Sequence, residues 1–259
     1  MRIVYRSMAI TLAALSPSGR ALAAPVETVL HSFAGGSDGA DPEAGLIADE
    51  QGALYGTTFA GGSSNNGTVF KLTPHAKGHT AWTKAVLYNF CSQPSCSDGV
   101  GPVAGLIADK SGALYGTTRF GGSSGNGTVF KLTPPAWTET VLYSFWGGSD
   151  GGAPRAGLIA DEQDTLYGTT TGGGIANNGT VFKLTPPAKG QSAWKETVLH
   201  RFCSQPGCSD GSGPVAGLTA DERGSALYGT TLSGGSSGVG TVFKLTVVDP
   251  LAMMFAPVI

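Results

Sequence analysis

The chain is poor in charge. Asp, Glu, Lys and Arg supply 13% of its 259 residues, against about 25% in an ordinary globular domain. The formal net charge is −2, and the basic residues form no cluster. A weakly acidic chain of this kind lacks the electrostatic footprint of a nucleic-acid binder or of a protein that lies on anionic membranes. Long apolar runs are missing as well. None approaches the roughly 20 residues of a transmembrane helix, so no membrane span is expected. Histidines number four, and there is no Gly-x-Ser-x-Gly elbow, phosphate-binding loop or zinc signature. The sequence therefore nominates no catalytic residue, no metal ligand and no cofactor.

What the chain has is glycine, 41 residues, and proline, 15. These recur at fixed offsets beside Val, Leu, Phe and Tyr, which is the pattern of short strands and tight turns rather than of disorder. Leu54-Tyr55-Gly56-Thr57-Thr58 returns at 114–118, 166–170 and 227–231. Gly67-Thr68-Val69-Phe70-Lys71-Leu72-Thr73 returns at 127–133, 179–185 and 240–246. An Ala-Gly-Leu-Ile-Ala-Asp element precedes each tyrosine motif, at 44–49, 104–109, 156–161 and, with Thr219 for Ile, at 216–221. A fourth element of the Val-Leu-x-x-Phe type stands at 28–33, 85–90, 140–145 and 197–202.

Each element is short, β-branched or aromatic, and bounded by Gly, Asn, Asp or Pro, as strands are. Asn66-Gly67, Asn126-Gly127 and Asn178-Gly179 are hairpin signals. Four antiparallel strands per unit, repeated radially, make a propeller blade, and such units must stack to bury their faces. The expected fold is all-β: a β-propeller of four four-stranded blades. The last unit ends on its third strand, and residues 28–33 are the spare fourth. Pairing them with residues 241–246 would close the ring. The alternative is an open arc that completes a larger ring by dimerisation.

Residues 1–24 read as a signal peptide, with Arg2 and Arg6, an apolar run at 8–15 and a small-x-small site at Ala21-Leu22-Ala23. An N-terminal core helix is the other reading. The expected division is then a leader (1–24), a four-repeat domain (25–250) and an apolar tail (251–259), in a secreted protein. Four cysteines suit export. They form two copies of one pattern, Cys91 with Cys96 and Cys203 with Cys208, and each pair is expected to close its own loop in an oxidising compartment. Four thiolates on one zinc ion are the sharper alternative.

The motifs Leu-Tyr-Gly-Thr-Thr, Gly-Thr-Val-Phe-Lys-Leu-Thr, Val-Leu-Tyr-Ser-Phe and Gly-Gly-Ser-Asp-Gly resemble those of the Gloeobacter/Verrucomicrobia repeat of choice-of-anchor proteins, over nearly all of residues 27–246. That resemblance implies an exported bacterial protein of propeller type with no settled activity. Family members often end in a surface-sorting anchor. Residues 251–259 are too short for one, so surface attachment is not expected.

Aspartates are the tempting chemistry. Asp38, Asp98, Asp150 and Asp210 stand in Ser-Asp-Gly, and Asp49, Asp109, Asp161 and Asp221 end the Leu-Ile-Ala-Asp elements. Paired carboxylates can hydrolyse glycosides and loop aspartates can hold calcium. Yet these recur in every unit, as turn caps must, whereas an active site is a single asymmetric place. His31 and His200 replace Tyr143 and Tyr88 as spacers, and Trp82, Trp137 and Trp194 recur as packing residues.

Function is sought where the repeats differ. The rim candidates are Asp41, Glu43, Arg119, Phe120 and Arg155, a mixed-charge surface. The expected function is an exported binding or scaffold module for a polysaccharide or a protein. The competing expectation is an extracellular carbohydrate-active hydrolase or lyase.

Overall fold

In a computed structural model the described residues are 26–75, 82–221 and 224–247. The expected signal peptide and apolar tail lie outside them. Contacts divide the chain into residues 1–30 and a compact unit, 31–259. Residues 26–30 are exposed and carry no regular structure.

The compact unit is all-β. Its first sheet contains β1 (Ile47–Ala48), β2 (Leu54–Thr58), β3 (Thr68–Thr73) and β4 (Thr83–Asn89). The second contains β5 (Ile107–Ala108), β6 (Leu114–Thr118), β7 (Thr128–Thr133) and β8 (Thr138–Ser144). The third contains β9 (Ile159–Ala160), β10 (Leu166–Thr170), β11 (Thr180–Thr185) and β12 (Lys195–Arg201). The fourth has three strands: β13 (Thr219–Ala220), β14 (Ala226–Thr231) and β15 (Thr241–Thr246). All neighbours within a sheet are antiparallel and follow chain order.

The repeat motifs explain this register. In each sheet the glycine of Leu-Tyr-Gly-Thr-Thr faces the phenylalanine of Thr-Val-Phe-Lys-Leu-Thr, as Gly56 faces Phe70 and Gly116 faces Phe130. A Cβ on Gly116 would stand 2.7 Å from the Phe130 ring. Glycine is required there because the ring lies across the neighbouring strand. The Asn-Gly pairs do not form two-residue turns. They end longer connections, such as 59–67, where Gly67 at φ 96° passes against the Thr58 carbonyl.

The core lies between sheets. Val69, Phe90, Leu106 and Phe130 bury together between the first and second, and Val129, Phe145, Leu158 and Phe182 between the second and third. Val181, Phe202, Leu218 and Leu227 follow between the third and fourth. Trp137 and Trp194 pack against the first and second of these clusters, as their repetition suggests. The innermost strands β1, β5, β9 and β13 all line one cavity, which gives the unit its propeller-like plan.

Residues 26–33 form no strand, contrary to the expected closure, and among the described residues β15 pairs only with β14. The reason lies in the spacing of the sheets. A side chain added at Gly45 on the first sheet would meet nothing within 4 Å, whereas at Gly105, Gly157 and Gly217 it would touch the preceding unit's glycine carbonyl. The first and fourth sheets do not meet.

Candidate functional site

The repeated aspartates are held in turns. Asp49 Oδ1 accepts the Gln51 and Ala53 amides at 3.0 and 2.8 Å, and Oδ2 accepts the Tyr55 hydroxyl at 2.9 Å. Asp109 and Asp161 repeat that arrangement, and Asp221 caps Ser225 and Ala226. Burial pushes the Asp49 carboxyl up, but the amide and hydroxyl donors outweigh it and hold its pKa below the ordinary value. The Asp49 carboxylate therefore serves as a cap rather than as a proton donor.

The Ser-Asp-Gly aspartates cap the loops leading into each inner strand. Asp98 Oδ2 accepts the Ser92 amide and the Tyr88 hydroxyl at 2.9 and 2.8 Å, and Asp150 Oδ2 accepts the Trp146 amide and the Tyr143 hydroxyl. His31 and His200 stand where the tyrosines do, 3.0 and 3.3 Å from Asp38 and Asp210. The histidines therefore act as the expected spacers. Cys91–Cys96 and Cys203–Cys208 are disulfide-bonded, each within its own loop, so the four-thiolate zinc alternative does not arise. Among the described residues no group of three or more His, Cys, Asp or Glu is placed to hold a metal ion.

Two places remain where unrepeated side chains gather, at opposite ends of the inner strands. At the end marked by Asp49 and Asp109 the cavity encloses about 650 Å³. Ile47, Ile107 and Ile159 contribute apolar lining, and Glu50, Gln51 and Lys110 contribute polar lining. A pocket of this size suits a small ligand.

At the other end lie the rim candidates, and the structure brings four of them together, Glu43, Arg119, Phe120 and Arg155. Arg119 and Phe120 leave β6, and the Arg119 guanidinium lies over the Phe120 ring, 4.5 Å from its centroid. Phe120 pairs through its backbone with Val100, and Gly101 accepts the Arg119 amide at 3.1 Å. Burial, and next the Arg155 guanidinium, lower the Arg119 pKa, while Glu43 opposes them. Arg119, Arg155 and Glu43 thus share one electrostatic neighbourhood. Arg119 Nε is buried with no hydrogen-bond partner. Asp41 does not join them through its side chain. It is exposed at φ 55°, and its carbonyl accepts the Phe59 amide at 2.9 Å.

Sequence reasoning missed Trp146 at this end. It is 69% exposed, and its carbonyl accepts Asn126 Nδ2 at 3.0 Å. The Asn126 carbonyl in turn accepts the Ala153 amide at 2.8 Å, two residues before Arg155. Asn126 therefore ties the Trp146 loop to the Arg155 segment. The available signal was register: Ala34, Cys91 and Cys203 occupy the equivalent positions, so Trp146 stands outside the tryptophan repeat.

The Gloeobacter/Verrucomicrobia repeat model matches residues 15–243. The chain belongs to this repeat family. The motifs on which the match rests are those that build the sheets, so membership explains the scaffold and leaves the unrepeated rim to individual members. The sequence matches none of the proteins of curated function. Among solved structures it is similar to a gluconolactonase from Xanthomonas campestris, at 18% identity and a TM-score of 0.45, over 82% of this chain and 62% of that one. The chain thus spans less than two thirds of that enzyme's length, and likeness at this level implies no shared activity.

Proposed function

We propose that this repeat-family protein is an exported binding module whose ligand is a carboxylate-bearing polysaccharide, held on the rim formed by Arg119, Phe120, Trp146 and Arg155. The observation that carries the reading is the Arg119 guanidinium. It is partly exposed, within the field of a second guanidinium, and its buried Nε donor is unsatisfied, an arrangement that an anion relieves. Exposed aromatic rings, Phe120 in contact with it and Trp146 on the loop that Asn126 ties to the Arg155 segment, offer stacking surface for sugar rings. The equivalent positions in the other sheets, Phe59, Thr171 and Leu232 for Arg119, carry no charge, so the rim is one asymmetric place on a repetitive scaffold. Export agrees with the two loop disulfides, and among the described residues no helix is long and apolar enough to cross a membrane.

The test is binding of the purified chain to polygalacturonate and to neutral dextran at low and high salt. The expected result is binding to the acidic polymer alone, weakened by salt, and weakened at least about tenfold by R119A or W146A. Equal binding of both variants, or release of reducing ends from the polymer, overturns the reading. The second outcome would place the protein among carbohydrate-active enzymes.

A further inference from the structure

The three interfaces between consecutive sheets repeat one set of contacts. The hydroxyls of Thr57, Thr117 and Thr169 donate to the carbonyls of Ala104, Ala156 and Ala216 at 3.0, 3.3 and 3.3 Å. The amides of Gly101, Ala153 and Gly213 each donate, at 2.8 Å, to the preceding sheet's Asn66, Asn126 or Asn178 carbonyl. Val69, Val129 and Val181 on one side, and Leu106, Leu158 and Leu218 on the other, are buried there.

At the two ends of the series the same positions stand open. Val242, the equivalent of Val69, is 83% exposed, and Leu46, the equivalent of Leu106, is 50% exposed. The Thr230 side is exposed where Thr57, Thr117 and Thr169 are buried, and Val239 and Leu232 add to the same apolar face. One end thus carries the valine half of an interface and the other end the leucine half. Exposed apolar faces and a free strand edge of this kind are covered in most soluble proteins.

A second relationship fixes what covers them. Phe90, Phe145 and Phe202, each just past the last strand of its sheet, lie edge-on to Phe130, Phe182 and Phe243 of the next sheet at 5.0 to 5.1 Å. Phe33 lies edge-on to Phe70 in the same way, at 5.2 Å. On the first sheet Phe33 therefore takes the place of a residue from a preceding sheet. Among the described residues the fourth sheet, meanwhile, has three strands.

We infer that the fourth sheet of one copy docks on the first sheet of a second copy, repeating the three internal interfaces, with residues 28–33 of the second copy running beside β15. The contact is heterologous, valine half to leucine half, and two of them related by a two-fold axis close a ring of eight sheets. Within one copy the halves do not meet, as the exposure of Val242 and Leu46 shows.

Light scattering on the purified chain tests this. The expected mass is twice the 26.2 kDa of one chain. V242E and L46E, on opposite halves, should each yield a monomer, with association weakened about a hundredfold. Because each variant keeps one good half, an equimolar mixture should form a one-to-one pair that neither forms alone. Both side chains are exposed in the single chain, so each variant should keep its circular dichroism spectrum. A monomeric wild type, a dimer indifferent to both substitutions, a mixture that stays monomeric, or a ladder of longer species overturns the two-copy ring.

Discussion

Lys84 Nζ donates to Asp38 Oδ1 at 2.8 Å and to the Asp38 carbonyl, joining residues 46 apart. Lys84 is almost wholly buried, and its ammonium also lies 5.0 Å from the centroid of the Phe33 ring. The equivalent positions on β8 and β12 carry carboxyls instead. Glu139 stands near Asp98 and Glu196 near Asp150, like charge against like charge, and one oxygen of each glutamate is buried without a partner. One scaffold position thus holds an ion pair in the first sheet and a carboxyl pair in the next two.

The glutamates give stability a pH dependence. Burial, and next the neighbouring aspartate, push Glu139 and Glu196 up to about 7 from an ordinary 4.5. The folded state therefore holds protons that the unfolded state releases. The contribution is fully present below about pH 4.5 and is lost as pH rises through 7. Thermal unfolding of E139Q and E196Q should match wild type near pH 4.5 and exceed it at pH 8. The gain should be about 1 kcal/mol per site, after discounting for the solvent around these partly exposed side chains. Identical pH profiles for wild type and the double variant would falsify the carboxyl pairing.

Asp38 works in the opposite sense. The Lys84 hydrogen bond, against a burial cost, lowers its pKa from 3.8 to about 2. Its contribution is present above 3.8 and disappears as pH falls towards 2. K84Q should flatten this acid limb while leaving the decline through pH 7 in place, a split that melts across pH 2 to 8 will reveal.

Gly116 should tolerate no side chain. The Phe130 ring, fully buried, lies where its Cβ would stand, and Leu106 closes the other side at 3.0 Å. G116A should cost about 1–3 kcal/mol by overpacking. A second substitution, F130L, should recover part of that loss in a double-mutant cycle, because it removes the clash. Additive losses would mean that the glycine answers to something other than the ring.

The Cys91–Cys96 loop carries three residues more than its Gly-Gly counterparts at 33–38 and 145–150. In both kinds of loop one carbonyl is aimed at two amides: Cys96 accepts Gly99 and Gly122, and Gly36 accepts Gly39 and Gly62. The disulfide holds the longer loop to the geometry the shorter one reaches with glycine at positive φ. C91S/C96S should lower stability by about 2 kcal/mol. Amide exchange should quicken at Gly99 and Gly122 before anywhere else in the second sheet.

The strand elements, the turn aspartates and the disulfides were legible in the sequence because each is made locally. Asp49 finds its partners between Gln51 and Tyr55, and Cys91 finds Cys96 within the same loop. Fourfold repetition separated such residues from anything singular. Arg119, Phe120, Arg155 and Glu43 were legible as departures from the pattern, but their meeting was not. The approach of Arg119 to Arg155, the hydrogen bond from the Ala153 amide to the Asn126 carbonyl, and the pairing of Glu139 with Asp98 all cross from one sheet to the next. Such contacts depend on the angle between neighbouring sheets, which no motif records. The spacing of the first and fourth sheets likewise is written in no motif, and it left residues 28–33 without a strand to pair with. The sequence by itself determined four repeat units, the last with three strand motifs, while the tertiary structure left residues 28–33 outside any strand and kept Leu46 and Val242, at the two ends of the series, exposed.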